Sequence, residues 1–333
     1  MKAMVINRYG KDVKLQAVDL PTPEMGDNDV LVEIHAASIN PIDFKIRDGK
    51  VKLLLKYEMP LILGNDFSGV IAETGKNVKR FKVGDKVYGR PRKSRIGTFA
   101  EFISVHEDDI ALAPSNITLM ESAAFPLVGL TTWQAFHHVL HLKKGEKILI
   151  HAGSGGVGTF AIQLAKEMGA YVATTVSEKG YNLVRSFGAD EIINYRKVDF
   201  EQIISGYDAV FDTLGGESLE KSFQVLKPGG KIVSVSAVPN ARFAEENGYG
   251  LFKRILFSLV SKKITALEKK YDVGYHFLFM KPSGEQLSKI AKLIEEKKIV
   301  PVIDKVFTFD ETQKALEYVE TGRAKGKVIV KMN

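Results

Sequence analysis

The chain has 333 residues, 45% of them apolar and 26% charged, which is enough for two domains with separate cores and excludes general disorder. Lys and Arg number 47 against 40 Asp and Glu, so the net charge of +7 is too modest to mark a nucleic-acid or membrane protein. Cysteine is absent, which excludes disulfides, thiolate catalysis and every zinc site built on Cys; a metal would have to rest on seven His and the carboxylates.

Residues 1–10 (MKAMVINRYG) carry neither the apolar core of a secretory signal nor the Arg- and Ser-rich character of a transit peptide, so the cytoplasm is the expected compartment. Up to about Pro114, short β-rich runs at 30–39, 68–75, 85–89 and 98–105 are broken by turns, the pattern of an antiparallel, barrel-like domain. Residues 122–142 hold no Lys, Arg, Asp or Glu over a length that could span a bilayer. Pro126, Gly129, two Thr, Gln134 and three His within that stretch predict a buried loop and helix instead.

From Lys147 the pattern changes to strands alternating with helices of roughly ten residues, which implies parallel βαβ units. Residues 249–270 place Phe252, Ile255, Leu256, Leu259, Val260, Ile264 and Leu267 at helical spacing beside six Lys and Arg. Such a helix can lie on an anionic membrane or meet a partner, but packing on the sheet or on a second subunit is the expected reading. After Lys281 come an amphipathic helix, the run VIDKVFTF, a second helix and the strand KGKVIVKM. This end can complete either block, and a chain that leaves its first domain and returns to it fits the pattern.

The strongest motif is Gly153-Ser154-Gly155-Gly156-Val157-Gly158, a G-x-G-x-x-G between an apolar strand and a helix, with a second strand following at 171–177. Its chemistry suits a dinucleotide. Gly153 permits the tight turn, Gly155 lets backbone approach a pyrophosphate, and Gly158 lets helix pack on strand, while the helix N-terminus offers free N–H groups. At the end of the second strand, Ser177 and Lys179 suit a 2′-phosphate and therefore NADP (NADPH). Glu178 lies between them and, shifted by one residue, would instead suit the ribose diol of NAD.

AASINPIDFKIRDG, LGNDFSGV, FPLVGLTTWQAF, HAGSGGVG, DTLGG, LKPGG and ETGRAKGKVIV occur in this order over nearly the whole chain. Together they resemble the zinc-independent quinone oxidoreductase and enone (alkenal) reductase branch of the medium-chain dehydrogenase/reductase superfamily. The resemblance implies an α/β protein with a GroES-like, β-rich barrel domain for substrate at 1–122 and 282–333. It implies a Rossmann doubly wound parallel-sheet domain for NADP at 123–281, and a homodimer or homotetramer. It places Ser154, Gly156 and Val157 at the pyrophosphate, and Ser177, Lys179 and Tyr195 at the adenosine ribose and its phosphate. Thr131 or Thr132 then lies near the nicotinamide, Leu214, Ser236, Phe277 and Phe279 complete the pocket, and Lys327 reaches the cofactor. The alcohol dehydrogenases of that superfamily hold catalytic zinc through Cys, His and Cys. The matching positions here are Asn40, Asn65 and Val128, and the structural-zinc loop is cut to a basic turn at 90–95. No metal is therefore expected, although His137, His138 and His141 offer a bare alternative in which residues 137 and 141 share a helical face.

Without a Lewis acid to lower an alkoxide pKa, simple alcohol oxidation is disfavoured, whereas a quinone or the C=C bond of an α,β-unsaturated carbonyl needs only donors for the developing oxyanion. Candidate donors are Asn40, Lys45 and Thr131, with Asp43 orienting the substrate or capping a turn. Two alternatives carry weight: a zinc-free NADPH carbonyl or alcohol oxidoreductase, and an NADPH-binding protein whose role is RNA or partner interaction. The second has a basic turn and a basic helix but lacks the aromatic-basic interleaving of an RNA surface.

Overall fold

A computed structural model of the chain describes residues 1–332. The chain forms two compact units, one from Met1–Leu130 with the segment that begins at Lys281, the other from Thr131–Met280. The sequence expectation put the first boundary earlier, at 122.

The first unit contains β1 (Lys2–Ile6), β2 (Gln16–Asp19), β3 (Asp29–Ile39), β4 (Leu61–Ile62), β5 (Asp66–Thr74), β6 (Lys86–Gly89), β7 (Phe102–His106) and β8 (Ile110–Leu112). The second contains β9 (Lys147–Ile150), β10 (Tyr171–Val176), β11 (Glu191–Asn194), β12 (Tyr207–Asp212), β13 (Leu226–Ser234) and β14 (Gly274–Phe277). The chain then returns to the first unit with β15 (Ile303–Thr308) and β16 (Lys327–Lys331).

In the first unit one sheet runs β15-β16-β3-β5-β6-β8, with β7 also on β3, and a smaller one runs β2-β1-β4. Apolar residues of the long strand β3 feed both cores: Val32 and Ile34 pack with Phe67, Val87 and Ile103, while Ala37 and Ile39 pack with Leu63, Phe99, Leu316 and Val330. The pairing of β16 with β3 settles the ambiguous C-terminal segment. Its register sets Val328 opposite Ile39, while β5 sets Asp66 opposite Ser38 and β6 sets Gly89 opposite Phe67. Residues near 40, 66, 90 and 327 are thereby gathered at neighbouring strand ends.

The second unit is a parallel six-stranded sheet in the order β11-β10-β9-β12-β13-β14. Its central strands are buried on both faces, as parallel strands covered by helices must be. Leu149, Ala173, Val210 and Ile232 from the sheet meet Leu219 and Phe223 from a helix in one core. The order reverses at β9 and β12, the switch point where open α/β sheets bind ligands at the carboxyl ends of their strands.

Two sequence expectations change in detail. The uncharged stretch forms the helix Pro126–Trp133 followed by a π-helical segment Gln134–Leu140, and no helix among the described residues is long and apolar enough to cross a membrane. His141 ends that segment in the left-handed conformation (φ 52°), and His137 stacks on Trp133 at 4.1 Å. The pairing of residues 137 and 141 on one α-helical face does not form. The basic helix at 249–270 is two helices, Leu251–Val260 and Lys262–Tyr271, separated at Ser261. The second packs on β13 and β14, through Ile264 and Leu267.

Candidate functional site

The first unit gathers an interior polar cluster at the end of β3. Asn40 caps the helix Pro41–Arg47, which opens with proline where a missing N–H costs nothing, and the Asp43 carboxylate accepts the Asn40 backbone N–H at 2.7 Å. The other Asp43 oxygen accepts from Asn65 Nδ2 at 2.7 Å. Asn40 Nδ2 donates to Asp66 Oδ2 at 2.8 Å and to the Ser38 carbonyl at 3.3 Å. Lys327 Nζ donates to Asn40 Oδ1 at 2.5 Å and to Asp66 Oδ2 at 3.2 Å. Arg90 Nη2 donates to Asn65 Oδ1 at 3.0 Å. All of these side chains are buried.

One sequence expectation, Asn40 as a donor to substrate, is revised by this geometry. Both amide hydrogens of Asn40 are committed inside the protein, so the residue has none left to donate to a substrate and acts by holding Lys327 and Asp66 in place. Lys327, expected to reach a cofactor, has its ammonium anchored by Asn40 and Asp66; two of its three protons are used and the third has no acceptor among the described residues. Asp43 braces Asn40 and Asn65 and caps its helix.

Lys45 lies half-buried on the same helix, with no hydrogen-bond acceptor for its ammonium among the described residues. Burial, and secondarily the Lys50 charge, pull its pKa below the ordinary lysine value. Sequence reasoning missed Tyr57. Its hydroxyl is buried without a partner, and burial pushes its pKa up to about 12 against the opposing pull of Arg90. It therefore keeps its proton at neutral pH and has an O–H to donate. A lone Tyr in the polar run KYEMP gives no periodicity or motif that would have marked it.

Burial pushes the Asp43 carboxyl up to about 7, opposed mainly by its hydrogen bonds from Asn65 and Asn40. Its ordinary value is near 3.8, so folding takes up a proton between these two values. The stability that this group contributes is complete below about pH 4 and is lost as pH rises to about 7. Asp43→Asn cannot ionise. Its unfolding free energy is expected to improve relative to wild type by on the order of a few kcal/mol between pH 5 and 8. Urea unfolding across that range measures the difference, and parallel curves would reject the assignment.

In the second unit the expected cofactor residues fall along the carboxyl edge of the sheet. After β9, the turn runs through Ala152 and Gly153 into the helix Gly156–Glu167. The left-handed residue is Ala152 (φ 52°), so Gly153 is not needed for the turn's dihedral angles. Gly153 is needed for space, because a Cβ there would stand 2.1 Å from Thr174 Oγ1. At Gly158 a Cβ would stand 2.4 Å from the Ala152 carbonyl oxygen, the close approach of helix to turn expected from the motif. At Gly155 a Cβ would meet only the Ala152 carbonyl oxygen, at 3.3 Å, a tight contact but far looser than those at Gly153 and Gly158. An open face at Gly155, beside first-turn N–H groups that have no intrahelical acceptor, suits a pyrophosphate.

At the end of β10, Ser177 is half-buried and Lys179 exposed. The Glu178 carboxylate lies 3.5 Å from Lys197. The Tyr195 backbone N–H donates to the Val176 carbonyl at 3.3 Å, which sets the exposed Tyr195 ring next to this strand end. Arg196, which sequence reasoning did not single out, lies over that ring at 5.8 Å and donates to its hydroxyl at 3.4 Å. At β12, Asp212 accepts the backbone N–H groups of Leu214 and Gly215 and shapes the turn that leaves Leu214 exposed. Ser236 Oγ donates to the Thr213 carbonyl at 2.7 Å. Phe277 packs edge-on against Phe243, with Phe279 farther along the same ring. Thr131 and Thr132 are buried in the helix Pro126–Trp133.

His151, at the end of β9, is buried between Thr175 Oγ1 (3.1 Å) and Ser222 Oγ (2.8 Å). Burial pushes its pKa down to about 4, so it stays neutral and serves as an internal brace.

Residues 26–115 match the family model described as alcohol dehydrogenase GroES-like domain, and residues 187–330 match zinc-binding dehydrogenase. The chain is 35% identical to NAD(P)H oxidoreductase RTN4IP1, mitochondrial, of Danio rerio, over 99% of this chain and 91% of that protein. It is 34% identical to 2-methylene-furan-3-one reductase of Solanum lycopersicum, over 99% and 79%. The quinone oxidoreductase structure from Coxiella burnetii superposes with a TM-score of 0.84 at 33% identity, over 100% of this chain and 99% of that one.

A zinc ion, which the second family description implies, does not fit the residues present. Val128 has no donor atom, and the amide oxygens of Asn40 and Asn65 face the cationic nitrogens of Lys327 and Arg90. A dinucleotide does fit the open face at Gly155 and the strand ends beside it.

Proposed function

Because the chain belongs to the zinc-independent quinone oxidoreductase and enone reductase branch of the medium-chain dehydrogenase/reductase superfamily, and so is a nicotinamide-dependent oxidoreductase, we propose that it uses NADPH to reduce quinones or the C=C bond of α,β-unsaturated carbonyls. The observation that carries the substrate class is the occupation of the Asn40 and Asn65 amide oxygens by Lys327 and Arg90. Cationic N–H groups stand where a saturated alcohol would require a divalent metal.

The bound cofactor supplies hydride. In an enone that hydride adds at the carbon remote from oxygen, and charge delocalises to the oxygen as an enolate. Donors that act on such an oxyanion must be protonated and uncommitted. Lys45 Nζ, the third proton of Lys327 and the Tyr57 hydroxyl have no acceptor among the described residues, and Tyr57 keeps its proton at neutral pH. Asn40, Asp43 and Asp66 fix Lys327 and the start of the helix Pro41–Arg47 so that these donors do not reorganise as charge develops. Turnover of enones and quinones with no turnover of saturated ketones is the expected outcome of a substrate panel; the opposite pattern would transfer the chain to carbonyl reduction.

NADPH is favoured over NADH by Ser177, Lys179, Tyr195 and Arg196, which cluster where β10 and β11 end, while Glu178 is drawn toward Lys197. Lys179→Ala with Arg196→Ala is expected to lower kcat/KM for NADPH about tenfold or more and to leave that for NADH within about twofold. Steady-state kinetics with both cofactors reads this out, and an equal loss for the two would oppose a 2′-phosphate site.

A further inference from the structure

We propose that the helix Leu251–Val260 seats the protein on an anionic lipid surface, a site for membrane-dissolved quinone. The use rests on the quinone reading above, whereas the docking rests on the helix alone. Leu251 is 72% exposed, Phe252 77%, Ile255 53% and Leu259 67%, values that ordinary scattered surface hydrophobes do not combine on one element. At helical spacing these four residues fall within an arc of roughly 100°. Phe257 points the opposite way, buried against Phe243 and Tyr249. The apolar stripe therefore faces away from the protein's own core.

Its rim is cationic. Arg254 flanks the stripe 3.3 Å from Glu245, and Lys262 and Lys263 follow at once, Lys263 paired with Glu220, whereas Lys253 lies on the inward side over the Tyr249 ring. Lys269 and Lys270 come one helix later. The only acidic residue of 251–271, Glu268, is turned inward, accepting the Tyr275 backbone N–H at 2.8 Å with Arg242 beside it. Apolar side chains flanked by Lys and Arg match an anionic interface, where both terms act together. A second copy is the poorer occupant, because a two-fold contact sets each patch against itself and brings the same cations face to face.

Flotation of the full chain with phosphatidylcholine vesicles, with and without one-third phosphatidylglycerol, tests this. Wild type is expected to float with the anionic vesicles only and to be released by high salt. The exposed variant Phe252→Ser, Ile255→Ser, Leu259→Ser is expected to bind at least about tenfold more weakly. It should keep the wild-type melting curve and its NADPH oxidation with a water-soluble quinone, and lose turnover of a long-chain quinone dissolved in the vesicles. Wild type left unbound by anionic vesicles, or equal binding by the variant, would overturn the proposal. A wild-type dimer that the triple variant converts to monomer would assign the face to a second copy and overturn it as well. Flotation without turnover of soluble quinone would leave the docking standing and remove the catalytic reading instead.

Discussion

Asp66→Ala is expected to destabilise the first unit by about 3–5 kcal/mol, the cost of leaving a buried charge without its partner. One carboxylate carries four hydrogen bonds: Oδ1 accepts the Leu127 backbone N–H at 2.7 Å, and Oδ2 accepts from Ser38 Oγ (2.7 Å), Asn40 Nδ2 (2.8 Å) and Lys327 Nζ (3.2 Å). Removing it strands a buried ammonium on one amide oxygen and orphans a backbone N–H in the interior. Lys327→Met is expected to cost less, because the carboxylate keeps three donors. In Asp66→Asn with Lys327→Met both charges are gone, and the double variant should be more stable than the sum of the single losses implies. Denaturant unfolding of the four proteins measures the coupling. A loss under about 1 kcal/mol for Asp66→Ala would mean that Lys327 finds another partner or water.

The second large effect separates two glycines of one motif. Gly158→Ala places a Cβ 2.4 Å from the Ala152 oxygen and 2.6 Å from Gly153 Cα, both backbone atoms that move only with the whole turn. It is expected to lower stability by about 2–4 kcal/mol and to abolish measurable NADPH binding, since the turn that presents the first-turn N–H groups is displaced. Gly155 has φ −80°, which any residue adopts, and its Cβ would meet only the Ala152 oxygen at 3.3 Å. Gly155→Ala should therefore melt within about 1 kcal/mol of wild type and yet bind NADPH at least tenfold more weakly, because the methyl group fills space left for the pyrophosphate. Calorimetry of unfolding beside titration with NADPH distinguishes the two. Unaltered affinity in Gly155→Ala would place the pyrophosphate elsewhere.

These two sites differ in how legible they were in the sequence. The glycine turn is local: strand, turn and helix adjoin within about twenty residues, and the order of residues reports each contact except one. The exception is Gly153. Its glycine is required by Thr174 on the neighbouring strand, which no local pattern reveals. The buried cluster is non-local in the extreme, with Lys327 bonded to Asn40 across 287 positions. Family motifs located both residues, but only the register of β16 on β3 shows that the lysine is bound to the asparagine. The asparagine thereby becomes an anchor where a free donor was expected. Tyr57 was missed for the same reason, since burial of a hydroxyl without a partner is a property of packing, and the basic turn at 90–95 did not show that Arg90 is buried against Asn65. The helix Leu251–Val260 illustrates the reverse. Its amphipathic spacing was plain, but spacing gives the existence of an apolar face and not the side on which the protein lies.

The central claim is hydride delivery to an activated alkene at a site whose oxyanion is met by protein N–H and O–H groups. NADPH deuterated at the transferable position, supplied with a simple enone in the presence of a metal chelator, tests it in one measurement. The account predicts undiminished turnover and deuterium at the β-carbon of the saturated ketone. Deuterium on the carbonyl carbon of an allylic alcohol, or turnover that the chelator abolishes, would contradict it.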